Sequence, residues 1–331
     1  MKLKLLLFAV TVFTALNASE LRSDEYVMFI PSIAYDIGNG TIEAEVEAFV
    51  YEKEGRLGAS SALALALGID MDNLSAKEKQ RFYERTALFR IDFEGDKEFV
   101  VKFEDNSLHK MPKNKDGKSS AAVKLKKPKN TKREITFEVQ EPKYPKNVEK
   151  GFALYSPADG VSAVFDIDDT IKDSNVLDKK ALLINTFLNE YKIVDSIKEI
   201  FDLTKRSGAD AFHYVSASPV QLYPELSRFF EKAGVPKGTF HLRDTTDISN
   251  FIALKQSTIT HKKSAIEKLF KAYPNRKFIL VGDSGENDPE IYADIYKTHP
   301  GKVLLIIIRD ITDENKTSPR FKDMEQLVLF K

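Results

Sequence analysis

The chain has 331 residues, of which 42% are hydrophobic, and its 50 basic and 50 acidic side chains give a formal net charge of zero. A chain of this length can bury two sizeable cores, and its charge balance argues against a nucleic-acid binder that relies on overall positive charge. Cysteine is absent, which excludes disulfides, thiolate chemistry and a lipid-modified N-terminal cysteine.

The N-terminus has the layout of a secretory signal peptide. Two lysines within residues 1–4 precede an apolar stretch over residues 5–16, which is too short for an ordinary membrane span. We expect cleavage after Ala18, so that residues 1–18 are removed and the protein is periplasmic or secreted, with an uncleaved anchor as the alternative. No other stretch has the apolar length of a membrane helix, so we expect no integral membrane segment after signal removal.

Residues 19–140 predict a small, mainly-β, sandwich-like domain. Polar and apolar residues alternate in several segments, which is typical of antiparallel strands with one solvent-facing side. These segments are residues 42–51, 88–93, 97–103 and 135–139. A helical insertion interrupts the pattern: residues 61–67 are rich in Ala and Leu, and Ser75 with Glu78 has the spacing of a capping box.

Residues 110–133 contain ten basic side chains and one acidic side chain. We interpret this basic segment as a solvated hairpin tip beside strands at 121–127 and 133–139. The alternative is a loop that binds anionic lipid, at about 1 kcal/mol per basic residue near the surface. Residues 141–150 contain two prolines and many charges, which favours an extended linker to a second domain at 151–331.

The second domain alternates between strand and helix patterns, which predicts an α/β fold. Strands are expected at 161–165, 211–215, 239–242, 277–281 and 301–308, and helices at 196–206, 220–233, 262–273 and 289–297. Near-continuous apolar runs such as 301–308 are typical of parallel strands covered by helices on both faces. In open sheets of this Rossmann-like kind the functional site lies at the carboxyl ends of the strands.

Four groups of polar residues occupy the positions that such a site requires. Two groups directly follow predicted strands, a third begins a helix and the fourth lies in the segment Gly282-Asp-Ser-Gly-Glu-Asn-Asp288; their members are Asp166 with Asp168, Ser216, Lys262, and Asp283 with Asp288. One carboxylate at a strand end can attack phosphorus, and a second can transfer protons. Carboxylates about 4 Å apart repel by about 4 kcal/mol per pair at a dielectric of about 20, so we expect a bound cation. Mg²⁺ suits oxygen ligands and a phosphate.

The motif Asp166-Ile-Asp-Asp-Thr170 resembles the first signature of the haloacid dehalogenase phosphatases. The blocks at 166–174, 214–224, 240–244 and 282–292 extend the likeness, and they resemble the catalytic domain of the actin-patch-protein phosphatidate phosphatases, which are relatives of the lipins. The resemblance covers roughly residues 151–310. It implies a haloacid dehalogenase fold and Mg²⁺-dependent hydrolysis of phosphatidate, at a membrane surface, to diacylglycerol and phosphate.

The residue types fit named roles in such a reaction. Asp166 is the expected nucleophile, which forms an aspartyl-phosphate, and Asp168 is the expected general acid and base, with a raised pKa. Ser216 is expected to hydrogen-bond a phosphoryl oxygen, and Lys262 to place positive charge beside it. The expected substrate-binding residues are Thr170, Ser218 and Arg243. The expected metal ligands are Asp166, Asp168, Asp283 and Asp288.

Several of these assignments have alternatives. Ser218 competes with Ser216, which lies nearer the strand end, and Lys263 competes with Lys262, which shares a helix face with the apolar Ile266. Arg243 either binds the phosphate or glycerol backbone, or pairs on the surface with Asp244 or Asp247. Two histidines inside strand patterns are interpreted as packing residues; they are His213 and His241.

Two other functions remain open. The same mechanism could act on a soluble phosphomonoester or a phosphoprotein, because the insert at residues 171–195 contains no long hydrophobic patch that would mark a lipid contact. A phospholipid-binding module without turnover is disfavoured, because Asp166 and Asp168 are both present.

Overall fold

The computed structural model describes residues 21–52, 59–91, 93–113, 117–128, 133–140, 150–244, 255–322 and 324–331. The predicted signal peptide, nearly all of the predicted linker and parts of the basic segment lie outside the described residues. Within these ranges, no helix combines the length and the apolar character needed to cross a membrane.

The described elements form a β-rich part followed by an α/β part. The strands are β1 (Glu25–Ile30), β2 (Ser32–Gly38), β3 (Thr41–Glu52), β4 (Val100–Phe103), β5 (Leu108–Lys110), β6 (Lys118–Lys126), β7 (Glu134–Val139), β8 (Lys150–Ser156), β9 (Val161–Phe165), β10 (Ala209–Pro219), β11 (Thr239–Arg243), β12 (Lys277–Asp283), β13 (Val303–Arg309) and β14 (Leu327–Phe330). The α-helices are α1 (Ala59–Ala66), α2 (Ala76–Arg85), α3 (Lys179–Phe187), α4 (Ile197–Arg206), α5 (Tyr223–Ala233), α6 (Lys255–Ala272) and α7 (Asp288–Thr298).

The first eight strands form one sheet, in the order β1-β3-β2-β8-β7-β4-β5, with β6 on the other edge of β3. Every pair is antiparallel except β2 with β8. The predicted alternation in β3 is confirmed, because Ile42, Ala44 and Val46 are buried and the residues between them are half-exposed. The strands are hydrogen-bonded into one continuous sheet, because the long β3 pairs with β1 and β2 on one edge and with β6 on the other, and buried residues from nearly all of them pack in one cluster. The sandwich-like form of this domain stays a prediction.

Two local predictions in this part are wrong. Residues 88 and 89 lie in a 3-10 turn at Ala87–Phe89, Phe93 forms only an isolated bridge with Tyr51, and the ring of Phe89 packs against Phe187 at 5.9 Å. β6 and β7 do not form the expected hairpin, because β6 pairs with β3 whereas β7 pairs with β4 and β8. The capping box at the start of α2 is confirmed, since Ser75 and Glu78 exchange hydrogen bonds.

The second sheet is entirely parallel, in the order β11-β10-β9-β12-β13-β14. Successive residues of a strand point to opposite faces. Phe165 of β9 joins a buried cluster with residues of α4 and α5, whereas the preceding Val164 joins a cluster with α6 and α7. Helices therefore cover both faces, as the sequence predicts. The edge strand β14 and the helix α3 are not anticipated by the sequence reasoning.

The two sheets share buried apolar surface. The cluster that contains Phe165 also contains Phe49 of β3, Leu63 of α1 and Phe82 of α2. β8 belongs to the first sheet, and the parallel sheet begins at Val161. The predicted boundaries, with a first domain that ends at residue 140, a linker at 141–150 and a second domain from residue 151, stay a prediction. The shared cluster shows that the β-rich part packs against the α/β part.

Candidate active site

Three neighbouring strands of the parallel sheet bring the predicted polar residues together. β9 lies between β10 and β12, so the residue after β9 and the last residues of β10 and β12 meet at one edge. Asp166, Ser216 and Asp283 occupy these positions, and all three are buried. The sequence-predicted convergence at the carboxyl ends of the strands is therefore present in the structure.

Asp166, Asp283 and Asp288 form a buried group of carboxylates. One oxygen from each lies within 4.8 Å of the others. Asp283 Oδ1 accepts hydrogen bonds from the backbone N–H groups of Gly285 (2.7 Å) and Glu286 (3.1 Å), whereas Oδ2 is buried without a described partner. Burial, with repulsion from the neighbouring acids, raises the pKa values of Asp166 and Asp283 well above the ordinary range, despite the nearby charge of Lys262. This group has an excess of negative charge that a cation would neutralise.

The backbone at Gly282 allows this close approach. A Cβ atom at this position would lie 2.3 Å from Asp288 Oδ2, which is shorter than any van der Waals contact. Asp288 begins α7, and its Oδ2 accepts a hydrogen bond from the Asp283 N–H at 3.3 Å. Glycine is therefore required where the start of the helix folds back on the strand end.

Lys262 on α6 supplies positive charge at this group. Its Nζ lies 2.9 Å from Asp166 Oδ1, 2.6 Å from Asp288 Oδ1 and 2.9 Å from Glu286 Oε2. Burial alone lowers the pKa of Lys262, but the surrounding carboxylates outweigh it and raise that pKa, so the side chain is charged. The rival Lys263 instead pairs with Asp294 on the surface, at 2.5 Å. The lysine at the carboxylate group is therefore Lys262.

Asp168 lies beside the group but is held by other partners. Its Oδ1 accepts hydrogen bonds from Lys172 Nζ (2.8 Å) and Ser174 Oγ (2.7 Å). Its Oδ2 accepts one from Ser218 Oγ (2.8 Å). The described carboxylate group does not include the Asp168 side chain, so its expected role as a metal ligand is not supported by the geometry.

The expected raised pKa of Asp168 is also corrected. Burial raises the pKa, but the charge of Lys172 and the surrounding hydrogen-bond donors outweigh burial and hold it below its ordinary value. A neighbouring cation and hydrogen-bond donors stabilise the ionised carboxylate, which lowers its pKa. Asp168 is therefore ionised in the protein without substrate.

The remaining predicted residues surround these acids. The backbone N–H of Ser218 donates to Ser216 Oγ at 2.9 Å, so both serines lie at the site. Thr170 Oγ1 donates to Asp166 Oδ2 over a long 3.5 Å. Arg243 is buried at the end of β11, where burial lowers its pKa and the charge of Glu286 opposes that shift. Of its two predicted surface partners, Asp244 pairs with Lys118 of β6, and Asp247 lies outside the described residues.

The sequence reasoning assigned no role to three residues that contact predicted site residues. Lys172 and Ser174 bind Asp168, and Glu286 binds Lys262. All three lie inside the segments that carry the family resemblance, so their positions, although not their contacts, were visible in the sequence. Asp169 shapes the loop that carries Lys172 and Ser174. Its φ is a left-handed 53°, and its carboxylate accepts hydrogen bonds from the backbone N–H groups of residues 174–176.

Comparison with known proteins gives one family match. Residues 161–310 match the family model described as "Phosphatidate phosphatase APP1, catalytic domain". Phosphatidate phosphatase APP1 of Saccharomyces cerevisiae is 34% identical over 161 residues, which is 47% of this chain and 27% of that protein. An uncharacterized protein of Schizosaccharomyces pombe is 30% identical over 159 residues, which is 47% of this chain and 26% of that protein.

The chain thus spans about a quarter of the length of these two relatives, 27% and 26%. A solved Bifidobacterium dentium β-glucuronidase overlaps 87% of this chain and 44% of its own, but the TM-score of 0.25 and the 9% identity carry no argument about the fold. The matched segment runs from the start of β9 to just beyond β13, and it contains all four members of the site formed by Asp166, Lys262, Asp283 and Asp288. Residues 161–310 are therefore similar to phosphatidate phosphatase APP1 catalytic domains over less than half of the chain.

Proposed function

We propose that the protein is a Mg²⁺-dependent phosphatidate phosphatase that works through an aspartyl-phosphate. The observation that carries the proposal is the buried group of Asp166, Asp283 and Asp288 around Lys262, inside the segment that matches the catalytic family. The similarity to the yeast phosphatidate phosphatase APP1 supports phosphatidate as the substrate. The products would be diacylglycerol and inorganic phosphate.

In the first step, an oxygen of the Asp166 carboxylate attacks phosphorus and the bond from phosphorus to the ester oxygen breaks. Asp168 donates a proton to the departing oxygen, which leaves as the hydroxyl of diacylglycerol. A bound phosphate monoester is a like charge beside Asp168, and it raises the pKa that Lys172 otherwise holds low, which favours the protonated acid. The charge of Lys262, 2.9 Å from Asp166, offsets charge on the phosphoryl oxygens.

In the second step, the Asp168 carboxylate takes a proton from a water molecule. The water oxygen attacks phosphorus, the bond from phosphorus to Asp166 breaks, and phosphate leaves as the Asp166 carboxylate is restored. The hydroxyl groups of Ser216 and Ser218 and the guanidinium of Arg243 are the proposed donors to the phosphoryl oxygens. All three lie at the carboxyl ends of β10 and β11.

The carboxylate group fits a Mg²⁺ ion. Its donors are oxygens, they are buried within 4.8 Å of one another, and Asp283 Oδ2 is a buried acceptor without a described partner. Asp166, Asp283 and Asp288 would hold the ion. A bound Mg²⁺ would neutralise the carboxylates and stabilise charge on the phosphoryl oxygens.

A soluble phosphomonoester is the second candidate substrate for the same chemistry. The described part of the insert at residues 171–195 exposes two large apolar side chains, Leu177 and Ile193, rather than an extended apolar face. Access to a membrane-embedded phosphate, and the export predicted from residues 1–18, are therefore parts of the proposal that need their own tests. Identification of the mature N-terminus by mass spectrometry would test the export.

Phosphate release from detergent-dispersed phosphatidate, lysophosphatidate and a soluble ester tests the function directly. We expect wild-type turnover of phosphatidate with Mg²⁺ and none with chelator. Asp166→Asn should be inactive on every substrate because it lacks the nucleophile, while its circular dichroism spectrum shows that it is folded. Turnover of the soluble ester without turnover of phosphatidate would reject the lipid assignment, and an active Asp166→Asn variant would reject the mechanism.

A further inference from the structure

The helical insertion of the β-rich part lies against the insert that follows the first motif. On α2, Arg81 Nη1 donates to the carbonyl oxygen of Leu188 at 3.1 Å, and Arg85 Nη1 donates to that of Thr186 at 2.9 Å. Thr186 and Leu188 lie at and just beyond the end of α3. A helix that lies far ahead of the matched segment in the sequence therefore contacts the polypeptide beside the catalytic acids.

Arg85 also stacks on an aromatic ring of this insert. Its guanidinium carbon lies 3.7 Å from the centroid of the Tyr191 ring, and the Tyr191 hydroxyl donates to the same Thr186 carbonyl at 3.0 Å. Arg85 is buried, and among the described residues no carboxylate forms an ion pair with it. The ring face and one carbonyl oxygen therefore hold this cation, so the positions of Arg85 and Tyr191 depend on each other.

The same ring contacts a second cation, which belongs to the catalytic loop. Lys172 Nζ lies 5.0 Å from the centroid of the Tyr191 ring and 2.8 Å from Asp168 Oδ1. The Lys172 side chain is buried, and a backbone bridge to Ile193 fixes its main chain next to Tyr191. A continuous series of contacts thus connects the β-rich part to the proposed general acid; its members are Arg85, Tyr191, Lys172 and Asp168.

We propose that Arg85 is a positioning residue for the reaction. By fixing the Tyr191 ring it fixes Lys172, and Lys172 in turn orients the Asp168 carboxylate toward the oxygen of the leaving group. The inference rests on the proposed function, and it gives the β-rich part a role in proton transfer. Arginine suits this position better than lysine, because its planar guanidinium can stack on a ring while it donates a hydrogen bond.

The test compares two arginines on one helix. Arg85→Met removes the stacking and the hydrogen bond but keeps an apolar stem. Arg81→Met is the matched control, because it removes a similar hydrogen bond from α2 to the insert without touching Tyr191. Tyr191→Leu removes the ring, whereas Tyr191→Phe keeps the ring face and loses only the hydroxyl. The comparison of Tyr191→Leu with Tyr191→Phe keeps the inference testable if Arg85→Met fails to fold.

The readout is the dependence of the first step on the leaving group, measured in single turnovers as release of the phenol or alcohol, because the second step needs Asp168 for every ester. p-Nitrophenyl phosphate releases a phenolate that is stable without a proton, whereas glycerol phosphate and phosphatidate release an alkoxide that needs one. General acid catalysis contributes roughly 10²- to 10⁴-fold, so partial misplacement of Asp168 should cost about tenfold or more on the alkyl esters. We expect Arg85→Met and Tyr191→Leu to show this loss in the first step, with the first step of the aryl ester changed by less than about twofold. Arg81→Met and Tyr191→Phe should behave like the wild type on both ester types.

A purely structural role would give a different pattern. Equal losses in the first step on aryl and alkyl esters, or equal losses in Arg81→Met and Arg85→Met, would overturn the inference while wild-type turnover leaves the proposed function standing. If the wild type hydrolyses none of these esters, the proposed function fails and the inference fails with it. In the double variant of Arg85→Met with Tyr191→Leu, the two effects should not multiply, because both substitutions break the same series of contacts.

Discussion

Replacement of Asp283 by Asn should have opposite effects on stability with and without Mg²⁺. In the ion-free protein, Asp283 Oδ2 is a buried carboxylate oxygen without a described partner, and it lies beside two other acids. Asparagine keeps an acceptor for the backbone N–H groups of Gly285 and Glu286 but removes the charge. We therefore expect Asp283→Asn to stabilise the ion-free protein and to abolish its stabilisation by Mg²⁺.

The geometry sets the size of the effect. Oxygens 4.8 Å apart repel by about 3 kcal/mol at an effective dielectric of about 20, and Asp283 faces two such neighbours. The attraction of Lys262 for Asp283 and partial protonation of the acids both reduce that sum. A net gain of about 1–3 kcal/mol in the free energy of unfolding at pH 8 remains. With Mg²⁺ at about 100 times its dissociation constant, the wild type should instead gain about 2.7 kcal/mol that the variant lacks.

The pH dependence follows from the raised pKa of Asp283. A carboxyl whose pKa is higher in the folded state than in the unfolded chain contributes stability that is fully present below the unfolded pKa of about 4 and is lost as the pH rises through the folded value. The advantage of asparagine should therefore vanish near pH 4 and grow toward pH 8. Urea unfolding in chelator and in Mg²⁺, at both pH values, measures this difference.

Asp294→Asn serves as the charge-matched control. Asp294 pairs with Lys263 on the surface, so its replacement should change stability by less than about 0.5 kcal/mol. If Asp283→Asn destabilises the ion-free protein at pH 8, the buried carboxylates do not repel as the geometry indicates. If the variant keeps the full response to Mg²⁺, the ion does not bind at this group.

Two further substitutions test the buried charges at the two ends of the parallel strands. Lys262→Met should lower the free energy of unfolding in chelator by about 3–5 kcal/mol, because it leaves buried carboxylates uncompensated. Lys263→Met should change that free energy by less than about 0.5 kcal/mol. Equal effects of the two substitutions in urea unfolding would contradict the assignment of Lys262 to the carboxylate group. Arg276→Met should also cost about 3–5 kcal/mol, because the buried guanidinium donates to Ser162 Oγ (2.9 Å) and to the carbonyl oxygens of Asp159 (2.8 Å) and Val161 (2.8 Å), which would lose this donor. Because Arg276 precedes β12 at the amino ends of the strands, away from the acids, the KM of its variant should be unchanged; a raised KM would indicate coupling between the two ends of the sheet.

The parallel sheet and its central acids could be predicted from the sequence because each depends on local patterns. The apolar runs that end at Phe165 and Val281 are buried on both sides, so their composition marks them as central strands, and the polar residues that follow can only lie at the strand ends. The inward position of Lys262 followed from helical periodicity in the same way.

The contacts of Asp168 could not be predicted because they depend on how the chain folds around it. Lys172 lies only four residues further on, but no periodic pattern shows that its side chain turns back to Asp168, and Ser218 comes from the end of β10; their donors reverse the pKa shift that burial alone would produce. The pairing of β6 with β3 was hidden for a similar reason, since adjacent alternating segments favour a hairpin unless a third strand competes. Neither the register of β8 nor the packing of α2 against residues 186–188 leaves a periodic signal.

The apolar cluster that joins Phe49, Leu63 and Phe82 to Phe165 determines which fragments of the protein are worth expressing. A truncation at the family boundary of residue 161 would strip that cluster of its covering β strands and helices, and the bare surface would promote aggregation. A cut at residue 310 would remove β14 and leave β13 as an unprotected edge strand. The smallest sensible recombinant unit is therefore residues 21–331, although the recognisable homology covers less than half of the chain.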